Sequence, residues 1–213
     1  MDDPAEVRAA RELIDAERGA DRLAFFSDAV CAIAITLVVL PLIDTARDVR
    51  GQSAASFFTA NSAALFAAAI SFVTISLFWR DHHRVFNRVS SWNSTIVSIN
   101  LVWLAGVCFI PLATVIEVGA SPDDALARAV YIGSILVTMV VARVEERLLI
   151  RMGGVEPWHV PSPLTLNLRW VPVALLAVAL VVSVTVPAIG LWSLLLAVLA
   201  RPISALIVRT RRT

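Results

Sequence analysis

Long apolar runs separated by short charged clusters set the organisation of this chain. The first, Arg22 to Leu42, carries no charge between Ala29 and Leu40. At about 1.5 Å rise per residue it is long enough to cross a hydrocarbon core of about 30 Å as one helix. Pro41 and the polar run Asp44 to Ser53 predict a loop after it, and further spans follow at about 54–80, 92–116 and 125–148. From Trp170 to Ala200 no charge appears. That is too long for one straight span of about 20 residues, so Pro187 and Gly190 mark a turn between two more, about 166–187 and 190–209. The pattern predicts six spans, and the charged residues 1–20, which lack the apolar core of a signal peptide, form a cytoplasmic, helical lead-in.

Spacing separates the faces of the first span. Arg22, Phe26, Ala29, Ile33, Thr36 and Leu40 fall on one stripe at about 100° per residue, and Asp28 lies about 140° from Ile33. An ionised Asp inside a span costs about 2.5–3.5 kcal/mol unless it is paired or hydrated. Asp28 and the adjacent Ser27 must therefore face a partner, while the stripe is a mostly apolar seam with one hydroxyl. Packing against another helix of the same subunit is the ordinary use of such a seam.

Composition fits this reading: 213 residues are 58% hydrophobic and 16% charged, with a mean hydropathy of +0.79, against about 25% charged residues in soluble domains. The chain is an all-α integral membrane protein. Every basic residue except the histidines is Arg, a codon bias that suggests a GC-rich bacterial genome. Fifteen of the 18 arginines fall on one side of the six-span layout, leaving Arg47, Arg50 and Arg128 on the other. The positive-inside rule then places both termini in the cytoplasm of a multi-pass protein in the plasma membrane. Cys31 and Cys108 sit in apolar spans and imply no disulfide framework.

Asp81, His82 and His83 lack the converging third and fourth ligands of a zinc site, and neither a metal nor a cofactor is expected. Trp79 or His82 is placed to reach Ser27 and Asp28 on the same side of the membrane, with Asn100 as a further member. Glu145 and Glu146, between Arg143 and Arg147, read as a solvated helix face. Nothing resembles a nucleophile with its base, a phosphate loop, a nucleic-acid surface or the filter sequence TVGYG. An enzyme is not expected.

Three stretches resemble one family. Arg22, Phe26, Ser27 and Asp28 fit the R-x3-FSD motif of the potassium channels related to the endo-lysosomal transmembrane protein 175, continued by AIAIT at 32–36. Trp79, His82, Arg84 and Phe86 fit its W-x2-H-x-R-x-F pattern, and Asn100, Leu101, Phe109 and Pro111 fit NL-x7-F-x-P. The resemblance covers the first half of the chain; the later spans share only hydropathy. It implies a single six-span repeat, residues 21–210, assembling as a homotetramer in membrane lipid with the first helix lining a central pore. Ile33 would form the constriction, with Thr36 one turn on and Leu40 as a further apolar ring, in place of a carbonyl filter. Arg22, Phe26, Ser27, Asp28, Trp79, His82, Arg84 and Asn100 would position that helix. The implied activity is passive conduction of K+ and other monovalent cations. The rival reading is a proton-coupled or small-solute transporter with Asp28 as its titrating group.

Overall fold

The computed structural model describes residues 4–47, 51, 53–89, 93–155, 157–200, 203–205 and 207. All regular elements among them are helical. The charged lead-in is not separate from the first span: α1 runs unbroken from Pro4 to Leu37. Pro41 has no N–H to offer the Leu37 carbonyl, and the chain turns at Val38 and Val39 before resuming as α2, Leu40–Arg47. The polar loop expected after Pro41 is thus helical through Arg47.

The expected second span is two helices. Ser53 caps α3, Ala54–Ala60, by accepting from the Ser56 N–H. Asn61 interrupts the run by donating its side-chain amide to the Phe57 carbonyl, and α4 follows as Ser62–Phe86. Asn93 caps α5, Ser94–Gly119, and Asp124 caps α6, Ala125–Arg151, each accepting from amides of the first turn. After α7, Pro163–Leu168, and α8, Val171–Thr185, a ten-residue 3-10 helix, Gly190–Leu199, packs back on α8. Ser183 Oγ donates to the Gly190 carbonyl at 3.1 Å there.

Among the described residues, five stretches are long and apolar enough to cross a membrane: Asp21–Arg47, Ser62–Phe86, Ser94–Gly119, Ala125–Arg151 and Pro163–Thr185. The expected sixth, 190–209, begins as the 3-10 helix; half of its remainder lies outside the described residues.

Small residues let the helices approach. Cys31 and Ala34 of α1 and Val38 just past its end enter a core with Ile75 and Phe78 of α4, Trp103, Val107 and Ile110 of α5, Tyr131 and Ile135 of α6, and Leu176 of α8. A Cβ at Gly106 would overlap Thr138 Oγ1, so that glycine sets the α5–α6 spacing. Ser71 hydrogen-bonds Thr114 at 2.7 Å and Tyr131 at 2.8 Å, tying α4, α5 and α6 together inside the core.

Candidate pore helix and its polar anchor

The two faces of α1 meet different surroundings. Ser27, Cys31, Ala34 and Val38, at helical spacing, are all buried against α4 and α5. Arg22, Phe26, Ala29, Ile33, Thr36 and Leu40 are all exposed on the single subunit, Ile33 at 60% and Leu40 at 47%. The stripe does not pack against another helix of its own subunit. Thr36 Oγ1 donates to the Ile33 carbonyl at 2.8 Å, which satisfies its proton within the helix and leaves its lone pairs turned outward.

A chain of hydrogen bonds pins the buried face. Ser27 Oγ donates to the Leu23 carbonyl at 2.9 Å, so its oxygen is left to accept, and Asn100 Nδ2 donates to it at 3.0 Å. That fixes the amide: Asn100 Oδ1 faces His82 Nε2, 2.8 Å away, which must carry the proton and donate. The His82 ring is held between Phe86 and Trp103, with centroids 4.1 Å away on either side and interplanar angles of 18° and 8°. Three helices, α1, α4 and α5, thereby meet through one buried polar thread. Asn100 and Ser27 are fully buried and His82 nearly so.

Asp28 has its own partners at the edge of this thread. Trp79 Nε1 donates to Oδ1 at 2.9 Å. His83 Nδ1 lies 3.3 Å from Oδ2, without hydrogen-bond alignment, and its ring stacks on Trp79 at 5.6 Å. His83 is a partner that spacing did not identify, because consecutive residues on a helix diverge: His82 turns inward to Asn100 and His83 toward α1. The same divergence separates the two rings as ligands. Among the described residues no group of three or more His, Cys, Asp or Glu converges.

Three residues of the expected positioning set stand outside the cluster. Arg22 and Phe26 are exposed, and Arg84 is directed to Asp81, 3.5 Å away on its own helix.

Glu145 and Glu146 overturn a solvated-face reading, being 2% and 5% exposed. Arg143 Nη1 donates to Glu146 Oε2 at 3.0 Å, and Arg169, from the turn between α7 and α8, donates to Oε1 of the same carboxylate. The local sequence reads as a surface because all four charges sit within five residues. What buries them is Arg169 and the end of α4, remote in sequence. Glu145 Oε1 has no hydrogen-bond partner, and Glu145 lines a cavity of about 10 Å³ with His82, Phe78 and Phe86, room for a single water.

Residues 22–111 match the family model described as the endosomal/lysosomal potassium channel TMEM175. A potassium channel of Chryseobacterium sp. (strain P1-3) is 32% identical over 133 residues, 62% of this chain and 66% of that one. A potassium channel of Chamaesiphon minutus is 32% identical over 123 residues, 56% of this chain and 61% of that one. The chain thus spans slightly less than two thirds of the curated bacterial relatives it matches. The fold is similar to the crystal structure of a lysosomal potassium-selective channel TMEM175 homolog from Chamaesiphon minutus, with a TM-score of 0.59 and 24% identity over 88% of this chain and 98% of that one. The family is one of channels and not an enzyme class. From the motif-bearing helices through the shared fold, the chain is similar to the TMEM175 family.

Proposed function

We propose that the chain is one subunit of a homotetrameric, potassium-permeable cation channel whose α1 helices line a pore on the symmetry axis. The observation that carries this reading is the division of α1: its polar and small-residue face is fastened to α4 and α5, and the stripe of Ile33, Thr36 and Leu40 is left free for other copies. Identical subunits meeting through one such stripe close a ring by cyclic symmetry. Ile33 is then the constriction. An apolar ring gates by dewetting and favours the ion that sheds water more cheaply, K+ over Na+, with modest discrimination. Thr36 adds a ring of hydroxyl oxygens one turn away. Ser27, Asp28, Trp79, His82 and Asn100 act as positioning residues for α1.

Conduction is passive, with K+ as permeant ion. The protein sits in the plasma membrane of a bacterium, both termini in the cytoplasm. The transporter alternative asks Asp28 to face a conduit, and its carboxylate is turned to Trp79 and His83 of α4 instead.

The test is reconstitution into liposomes with opposed K+ and Na+ gradients, together with native mass spectrometry of the solubilised protein. K+ flux exceeding Na+ flux from a tetramer is expected. Absence of cation flux, or a mainly monomeric or trimeric protein, overturns the proposal.

A further inference from the structure

Between α4, α6, α8 and the Gly190–Leu199 helix lies a cavity of about 590 Å³, open on one side and away from the α1 stripe. Binding cavities for small ligands span about 300–1,000 Å³. Its long wall is α4, from Phe66 to Arg80, about 21 Å along the helix axis. Ile70, Val73 and Leu77 from α4, with Met139 and Leu191 opposite, make that length apolar.

Among the described residues, only one end is charged. Arg80, Arg143 and Arg169 line it with Asp81. Four guanidiniums share two carboxylates there: Arg80, Arg84 and Arg143 lie 3.6, 3.5 and 3.8 Å from Asp81, and Arg143 and Arg169 both reach Glu146. Even with Glu145 counted, arginines remain in excess, and each guanidinium has five N–H donors. The Arg80 side chain, 45% exposed, meets Asp81 without a hydrogen bond and has donors to spare at the mouth.

From this arrangement we infer that the groove is a binding site for an anionic phospholipid, one acyl chain lying along α4 and the phosphate held by Arg80 and Arg169. A helix of a second copy would bury Arg80 against apolar side chains; an amphiphile with an anionic head satisfies both ends of the groove. Basic pockets between membrane helices are the recurring form of such sites. The inference is independent of the pore reading, since α1 contributes nothing to the groove.

The experiment is native mass spectrometry of the delipidated full-length protein titrated with phosphatidylglycerol or phosphatidylcholine of identical acyl chains. Phosphatidylglycerol is expected to saturate at one molecule per subunit and at lower concentration. Arg80→Gln should weaken its binding about fivefold, the effect of one basic side chain near a lipid surface, and leave phosphatidylcholine unchanged. Val73→Trp, which fills the exposed middle of the groove wall, should abolish the saturable site; Ala69→Trp serves if that variant fails to fold. Equal retention of the two lipids, or undiminished phosphatidylglycerol binding in the groove-filling variant, overturns the site and leaves the groove to ordinary bilayer lipid or to protein.

Discussion

Replacing Asn100 by Leu tests the thread that fastens α1. The substitution keeps side-chain volume nearly constant, so the cavity penalty of a truncation is small and the loss is mainly polar. Two hydrogen bonds go, to His82 and to Ser27. Interhelical bonds in membrane proteins contribute about 0.6 kcal/mol on average and at most about 1.7 each. More is lost at the His82 Nε2–H, which is walled in by Phe86 and Trp103 and left with no acceptor, a cost of about 1–3 kcal/mol. Ser27 keeps its own donated bond to Leu23 and loses little more. Together these give a destabilisation of about 2–4 kcal/mol.

Pairing Asn100→Leu with His82→Phe separates this account from simple packing. When both partners become apolar groups of similar shape, no orphan remains and the cost is expected to fall. The double variant should recover at least half of the single variant's loss. Denaturant titration followed by far-UV circular dichroism, at fixed protein concentration because association shifts apparent stability, reads both quantities. An Asn100→Leu loss below about 0.5 kcal/mol, or strict additivity in the cycle, would refute the thread as the anchor of α1.

Three further outcomes are expected. Asp28→Ala should reduce the folded, assembled fraction on size exclusion, and Asp28→Asn, which keeps an acceptor for Trp79, should restore most of it; normal assembly of Asp28→Ala with loss of cation selectivity alone would place Asp28 in the pore. Gly106→Ala should destabilise by about 1–3 kcal/mol through its overlap with Thr138, a cost that Gly106→Ala combined with Thr138→Ala relieves in the same titration. Ile33→Ala should raise total cation flux and narrow the K+ to Na+ difference, and Thr36→Val should lower flux more than Thr36→Ser; an unchanged flux ratio per folded channel at matched protein amounts would remove Ile33 from the constriction.

Helical periodicity made the faces of α1 legible, because a carboxylate within an apolar span and a seam of known spacing are local properties. The juxtaposition of Trp79 with Asp28 followed from topology: an α4 that ends where α1 enters the membrane brings residues 51 apart in sequence into contact. The buried Glu146 was not legible. Its burial depends on Arg169 reaching back from the turn before α8, 23 residues away, and no window of sequence around 143–147 contains that information. Nor was the Ser71–Thr114–Tyr131 cluster, though the signal existed: each of three apolar spans holds hydroxyls flanked by apolar residues, which only another polar side chain or a backbone carbonyl can satisfy there. The last span misled differently. An uncharged run fixes how much chain can enter the membrane and not how it winds, and from Gly190 the backbone takes i to i+3 geometry instead of an α-helix.

Several of the buried polar groups meet at one end of the subunit. The Leu23–Asp28 stretch of α1, the ends of α4 and α6, the start of α5 and the turn before α8 all meet there, so the thread through Asn100, the Asp28 cluster and the buried Glu146 pair are neighbours. Asp81 lies near all three: it follows Trp79 by two residues, precedes His82, and receives Arg143 of α6 at 3.8 Å. From Ala29 onward α1 packs through Val30, Cys31, Ala34 and Ile35, and among the described residues no side-chain hydrogen bond joins that stretch to another helix. One stretch of the helix is therefore fixed by directional bonds and the next by contacts that tolerate sliding. Substitutions in the first class, at Ser27, Asp28 or Asn100, should act mainly on stability. Those on the free stripe beyond Ala29, at Ile33, Thr36 or Leu40, should leave stability nearly unchanged and act on flux, because within a subunit they touch little that folding requires.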